Sequence, residues 1–406
     1  MRTNLSIALV SSYAFTKEPG GVKDFILGLK SELLRKGYAV NVIAPGSKDA
    51  QKDGQVDFVL GKNLKVATDQ TEFRIGLSRK KTARKILEKI KPDIVVIHEP
   101  FVPVVGHTII SAIPKRADGK PNAIIIGQFH ARKEFVSRGL RVLEFIARHI
   151  IKRPELRRGF LFSSGYVSTI EKNLRGRIAV SQATRKFWEK ESPANYKVIC
   201  NGIDTKELYP NGPKINDWKR TGRRIIFFAG RHDSRKGIDD LINAISILIK
   251  EGFFDIKLKI AGEGEMTAIL KRMVIAQKLN DFVDFVGVLP RSELVKAYRT
   301  SDLVVAPSTG GEGFNRTIIE ARACGALVVC TNIEGQKESI GQDLYSYMAR
   351  PGNPKNLAKK IKEVLSLSKA KKQEVKKSGR AYVKSNFDWK NIAKQHVQFY
   401  KSLIAK

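Results

Sequence analysis

Arg224-Ile225-Ile226-Phe227-Phe228-Ala229-Gly230-Arg231-His232-Asp233-Ser234-Arg235-Lys236-Gly237 runs from an apolar, β-branched and aromatic stretch into a basic loop bounded by glycines. A helical pattern follows over Asp239–Glu251, then a second apolar run over Lys257–Ala261. Short apolar runs with little polar alternation suit strands covered on both faces, as in a parallel sheet. The same unit recurs along the chain. Strands are expected at Ser6–Val10, Ala39–Ala44, Asp57–Leu60, Ile94–Ile97, Ala123–Gly127, Gly176–Val180 and Lys197–Cys200. Further runs lie at Val283–Val286, Leu303–Ala306 and Ala326–Cys330, with helices such as Val22–Lys36 and Thr317–Cys324 between them. Repeated strand–helix–strand order predicts an α/β protein of two doubly wound domains. Between Ser181 and Asn211 the pattern lapses, and Pro193, Pro210 and Pro213 punctuate it, which places a linker at roughly 200–220. The domains are therefore expected at 1–200 and 201–388. The last helical stretch, Trp389–Ala405, follows no further strand, so residues 389–406 are expected to pack back on the first domain.

The 406 residues are 42% hydrophobic and 28% charged, which excludes a disordered or collagen-like chain. The formal net charge of +34 favours anionic partners: a membrane surface, nucleic acid or phosphorylated small molecules. No basic-aromatic module, zinc-finger spacing or helix-turn-helix signature accompanies that charge, so no specific nucleic-acid partner is expected. Cys200, Cys324 and Cys330 are too few and too scattered for a disulfide framework or a thiolate metal site. Leu5–Val10 reads as a first strand and not as a signal peptide, because it runs straight into Lys17-Glu18-Pro19-Gly20-Gly21. No stretch approaches the ~20 apolar residues of a spanning helix. The expectation is a cytoplasmic protein whose membrane contact, if any, is peripheral.

Four stretches can carry chemistry. Gly20-Gly21 lies between strand and helix, where it serves either as a structural turn or as an opening for a phosphate against helix-terminal N–H groups. In the loop Gly230–Gly237, Arg231 and Lys236 could neutralise a diphosphate, Arg by paired hydrogen bonds and Lys as a point charge; a solvated basic loop is the alternative. Gly310-Gly311-Glu312-Gly313-Phe314-Asn315 opens a helix that carries Glu320 about two turns on. The two carboxylates could accept from two sets of sugar hydroxyls, unless Glu320 is an ordinary exposed helix residue. Finally, His98-Glu99-Pro100 and His130 each close a strand of the first domain, at the edge where doubly wound sheets bind ligands.

In this order, Gly20-Gly21, His98-Glu99-Pro100, Phe129-His130, Gly176–Ser181, Asn201-Gly202-Ile203-Asp204, Gly230-Arg231 with Lys236-Gly237, and Glu312 with Glu320 resemble the retaining nucleotide-sugar glycosyltransferases of family 4. Within that family the chain looks most like the phosphatidylinositol mannosyltransferases, which share His-Glu-Pro, Gly-Arg-Ile-Ala-Val-Ser and Gly-Gly-Glu-x-Phe. The resemblance implies a GT-B fold, two Rossmann-like domains facing across a cleft. It implies a nucleotide-sugar donor, GDP-mannose above others, and a lipid-linked acceptor such as phosphatidylinositol. It also implies roles: Gly20, Gly21, Gly230, Arg231, Lys236, Gly311, Glu312, Gly313, Phe314, Asn315 and Glu320 around the donor, with Arg231 and Lys236 on the diphosphate. Glu312 would meet the donor sugar, Glu320 the ribose, and His130 would orient the sugar. His130, Arg231, Lys236 and Glu312 form the expected catalytic set. The chain holds no Asp-x-Asp; a magnesium ion could accompany the diphosphate, but no residue is assigned to a metal.

Ser78–Lys91 holds seven Lys or Arg against one Glu, and Ala83, Ile86, Leu87 and Ile90 recur at helical spacing. Such a helix suits an anionic bilayer, or docks on its own sheet, or does both with the basic flank outward. Tyr13, Lys23, Arg79, Lys80, Lys81, Arg84 and Lys85 are assigned to the acceptor and membrane side. Lys23 stands where phosphatidylinositol-using relatives tend to carry Gln. A second basic run, Arg132 to Arg158, would extend the same face, and Lys152–Asn173 matches nothing in the family pattern.

Overall fold

The computed structural model describes residues 5–15, 20–46, 48–68, 71–102, 104–119, 121–130, 166–220 and 222–405. The run Arg132 to Arg158 and most of Lys152–Asn173 lie outside these residues. Met1–Gly202 together with Trp389–Lys406 form one unit and Ile203–Asp388 the other.

The first unit is built on seven parallel strands in the order β3-β2-β1-β6-β7-β8-β9. They are β1 (Ser6–Ser11), β2 (Ala39–Ala44), β3 (Phe58–Val59), β6 (Ile94–His98), β7 (Ile124–Phe129), β8 (Gly176–Ala179) and β9 (Lys197–Val198). Alternate residues of these strands enter two separate cores. Ile7, Leu9, Ile94, Val96 and Ile126 pack with Phe25, Ile26, Leu29 and Leu33 of the helix Gly21–Arg35 and with Ile392, Tyr400 and Leu403 of the helix Trp389–Ile404. Ala8, Val10, Val95, Ile97 and Ile125 pack with Ala83, Ile86 and Leu87 of the helix Lys80–Ile90 and with Val105 and Ile109 of the helix Val105–Ala112. Helices on both faces explain why these strands are apolar throughout.

Two elements depart from the sequence reading. β4 (Lys62–Thr68) and β5 (Thr71–Leu77) form an antiparallel hairpin. Its signal was the alternation of Phe73, Ile75 and Leu77 with Glu72 and Arg74. The stretch read as a lapse after Ser181 contains the helix Gln182–Glu191, started by Ser181, whose hydroxyl accepts from the Thr184 N–H at 2.9 Å. Its apolar face is narrow, with Trp188 the large side chain that reaches the core.

The second unit holds five parallel strands in the order β12-β11-β10-β13-β14. They are β10 (Arg224–Ala229), β11 (Ile256–Ala261), β12 (Val283–Gly287), β13 (Leu303–Ala306) and β14 (Leu327–Cys330). In each sheet the strand order reverses once, between β1 and β6 and between β10 and β13. Doubly wound sheets bind ligands beyond the carboxyl ends of the strands at such a reversal. The loops that leave β1, β6, β10 and β13 are therefore singled out by topology alone.

Candidate active site

Past β10 the chain makes a single 3-10 turn, Ser234–Lys236, and then enters the helix Ile238–Lys250. Asp233 organises the turn. Its buried carboxylate accepts from the Arg235 N–H at 3.1 Å and from Arg235 Nη2 at 2.9 Å, and lies 3.6 Å from Arg231 Nε. Gly237, at φ +62°, closes it; a Cβ there would stand 2.2 Å from the Pro307 carbonyl oxygen in the loop after β13. That close approach brings the two loops together. Lys236 Nζ donates to Glu312 Oε1 at 2.5 Å, and Ser308 Oγ donates to the same oxygen at 3.0 Å. Arg231, Lys236 and Glu312 are thus gathered at one end of one sheet, with Glu312 buried and the Arg231 side chain 44% exposed.

Glu320 is not an exposed helix residue. It is buried on the helix Arg316–Ala323, where Oε1 accepts from Arg291 Nη1 at 2.9 Å and Arg316 Nη2 at 3.1 Å, and Oε2 from the Tyr298 hydroxyl at 3.2 Å. Arg291 also grips Glu207 with two nitrogens, at 3.0 and 3.1 Å. Its neighbouring carboxylates outweigh burial and hold Arg291 above its ordinary pKa. Phe314 turns its ring onto Phe387, with centroids 5.5 Å apart, so the ring is core and only its backbone is left for a ligand. The Asn315 N–H donates to Ser339 Oγ at 3.3 Å, just before the helix begins. Gly230, Gly311 and Gly313 lie in the two loops, with Gly311 at φ +69°.

In the first unit, Gly20 is the extended residue before the helix and Gly21 its first residue. Among the described residues a Cβ on Gly21 would meet nothing within 4 Å, so no close packing within the chain requires glycine there. Lys23 follows, half-buried, in the first turn. His98 ends β6 and is fully buried; Glu99 follows at φ +57°. The Glu99 N–H donates to the Gln128 carbonyl at 2.8 Å, and Glu99 Oε1 accepts from the His130 N–H at 2.7 Å. Ser12 Oγ donates to the carbonyls of His98 and Glu99 at 2.8 and 3.0 Å. His98 Nδ1 and His130 Nε2 are 2.9 Å apart. Phe25 packs against both imidazoles, and against Trp389 and His396 from the helix Trp389–Ile404. Burial, reinforced by His396, lowers His130 to about 3; burial alone lowers His396 to about 3. Burial and the two neighbouring imidazoles take His98 well below the usual value. Tyr13 is pushed well above the ordinary phenol range, by burial first and the Glu99 carboxylate second.

On the helix Lys80–Ile90, Ala83, Ile86 and Leu87 face the core, while Arg79, Lys80, Lys81, Arg84 and Lys85 are exposed. The apolar stripe is spent on the sheet and the basic flank is left to solvent. No described helix is long and apolar enough to cross a membrane. Among the described residues no group of three or more His, Cys, Asp or Glu could hold a metal ion. Cys324 and Cys330 are free and buried, and burial pushes the Cys324 thiol up to about 12.

The sequence reading missed Arg291, Tyr298, Arg316, Glu207, Ser308, Asp233 and His396. Arg316 was legible, four residues before Glu320 on one helix face. Asp233 and Ser308 were legible too, two and four residues from their partners Arg235 and Glu312. Arg291, Tyr298, Glu207 and His396 are brought to their partners by folding and left no local signal.

Residues 19–207 match the family described as Glycosyltransferase Family 4, and residues 214–382 match Glycosyl transferases group 1. The fold is shared with a glycosyltransferase from Rickettsia africae ESF-5, at TM-score 0.74 and 20% identity over 98% of this chain and 99% of that one. It is shared also with Anabaena Alr3699/HepE, solved in complex with UDP and glucose, at TM-score 0.72 and 18% identity over 98% of this chain and 100% of that one. Two Rossmann-like parallel sheets, one in each unit, are those of the GT-B fold, and the matched family models make the chain a glycosyltransferase, an enzyme that transfers a sugar. The chain belongs to the family 4 glycosyltransferases. A Phosphatidyl-myo-inositol mannosyltransferase of Propionibacterium freudenreichii subsp. shermanii is 26% identical to it, over 98% of this chain and 94% of the relative.

Proposed function

We propose that the chain is a retaining hexosyltransferase that moves mannose from GDP-mannose to a lipid-borne, phosphatidylinositol-like hydroxyl at the cytoplasmic face of a membrane. One observation carries the donor half: Lys236 Nζ and Glu312 Oε1 are in contact at 2.5 Å, beside Arg231, beyond the carboxyl ends of β10 and β13. A cation and a carboxylate held together there serve the two parts of a nucleotide sugar. Arg231 and Lys236 take the diphosphate, Glu312 takes hydroxyls of the hexose, Glu320 the ribose, and His130 orients the sugar. Gly20 and Gly21 leave the helix N-terminus open to a phosphate. The acceptor half is supported by the description of the mannosyltransferase relative and by the exposed basic flank of Lys80–Ile90.

In the reaction the bond from the anomeric carbon to the diphosphate oxygen breaks. The acceptor oxygen bonds to the same face, and the departing diphosphate takes the acceptor's proton. Negative charge grows on the leaving group, so fixed cations lower the barrier without reorganising. No side chain is required as a nucleophile.

A second reading, transfer from a UDP-sugar to a soluble or glycan acceptor, is favoured by the UDP and glucose bound in the Anabaena structure. The test is purified protein offered GDP-mannose, UDP-glucose and other nucleotide sugars, each with phosphatidylinositol vesicles and with soluble glycans. Transfer from GDP-mannose to the lipid with the anomeric configuration kept is the expected result. Transfer from a UDP-sugar to a soluble acceptor selects the second reading, and neither transfer nor donor hydrolysis with any of them defeats both.

A further inference from the structure

We infer that His98 locks His130 as the Nδ1–H tautomer, so that His130 meets its ligand as a hydrogen-bond donor and not as a base. His98 Nδ1 and His130 Nε2 lie 2.9 Å apart with their rings tilted by 24°, a contact that holds one proton between two nitrogens. Two protonated rings would set N–H against N–H, and burial keeps both imidazoles neutral. Two arrangements remain. In one, His98 Nδ1–H donates, His98 Nε2 keeps a bare lone pair, and His130 carries its own proton on Nδ1. In the other, His130 Nε2–H donates and His98 carries its proton on Nε2.

The surroundings of His98 choose between them. Its ring is fully buried, its Nε2 meets no hydrogen-bond partner among the described residues, and the Phe25 ring centroid lies 5.6 Å from its own. A buried N–H without an acceptor is the rarer and costlier defect; an unfilled lone pair is tolerated more readily. His98 therefore donates from Nδ1. The backbone keeps the pair in register: Ser12 holds the carbonyls of His98 and Glu99, and Glu99 holds the His130 N–H. His98 is a positioning residue.

A ring fixed in this way offers Nδ1–H to a hydroxyl or a ring oxygen and takes no proton from it. That matches a reaction whose proton leaves on the diphosphate, and this consequence rests on the proposed reading of His130 as the residue that orients the sugar. The tautomer itself does not.

The test is long-range 1H–15N correlation of the full chain with labelled imidazoles at pH 7.5, with His130 assigned by the signals lost in His130→Gln. The expected pattern is a protonated Nδ1 and a bare Nε2 on His130; the reverse pattern overturns the proposal. In His98→Leu, His130 should relax to a tautomer mixture and turnover should fall about tenfold, with donor KM within about twofold. His98→Asn places an amide N–H near the lost Nδ1–H and should restore both the tautomer and most of the turnover. An unchanged Nδ1–H tautomer in His98→Leu also overturns the lock. Should His98→Leu not fold, the spectrum of the unaltered chain decides. Should the tautomers follow the substitutions while the unaltered chain turns over no nucleotide sugar, the lock stands and the proposed function fails.

Discussion

The two strand-order reversals are built from opposite materials. Beyond β10 and β13 the side chains are ionic: Lys236 on Glu312, Arg231 and Arg235 on Asp233, Arg291 and Arg316 on Glu320. Beyond β1 and β6 neutral imidazoles are assembled, His98, His130 and His396 around Phe25, with burial holding them uncharged and a single carboxylate, Glu99, turned to the His130 N–H. Each suits a different task. Fixed charges meet charge that develops during a reaction, whereas neutral donors orient hydroxyls without bringing a counter-ion. The same topology has been given two chemistries, and the contrast makes definite demands on mutants.

The largest effect is expected at the ionic end. Lys236→Ala should lower kcat/KM for the donor at least about 100-fold, near 3 kcal/mol, the scale of losing one preorganised charge donor. A value within threefold of the parent would move charge handling away from this end. Glycines come next. Gly237→Ala should cost about 1–3 kcal/mol of stability in urea unfolding, because its φ of +62° and the Pro307 carbonyl both exclude a Cβ. Gly21→Ala should leave stability within about 0.5 kcal/mol, since a Cβ there meets nothing within 4 Å among the described residues, and under the proposed function it should weaken donor binding. Equal stability losses at the two positions would make Gly21 structural.

Acid should find the neutral end. An unfolded His titrates near 6.5, whereas buried His396 titrates at about 3. Above pH 6.5 neither state binds the proton and stability is complete. Below it the unfolded chain binds a proton that the folded chain excludes, and stability falls by about 1.4 kcal/mol per pH unit, about 2 kcal/mol by pH 5. His396→Leu should make the slope of unfolding free energy against pH shallower by about one proton, and an unchanged slope would mean that this imidazole is already charged in the folded chain. The smallest step is at the surface. Each of Lys80→Gln and Lys81→Gln should cost about 1 kcal/mol of binding to anionic vesicles, with donor hydrolysis unchanged. Vesicle binding indifferent to both would relocate the membrane face.

Legibility followed the physics of burial. The strands could be read because helices on both faces demand continuous apolar runs, as in Ile94–Ile97 and Ile225–Phe228. The helix Gln182–Glu191 could not, because its narrow apolar face leaves a polar sequence. Arg231, Lys236 and Glu312 could be named from glycine-rich loops at strand ends. The second role of Arg291, pinning both Glu207 and Glu320, had no counterpart in local pattern.

By itself the sequence determined the parallel α/β architecture, the loops that end each strand and the excess of positive charge, because burial periodicity and turn chemistry are local. The tertiary structure alone decided the pairings: Lys236 with Glu312 across 76 residues, His98 with His130 across 32, and His396 brought in from the last helix. A pairing depends on which strands become neighbours, and that order is chosen by the packing of whole helices on a sheet, a property that no short window of residues contains.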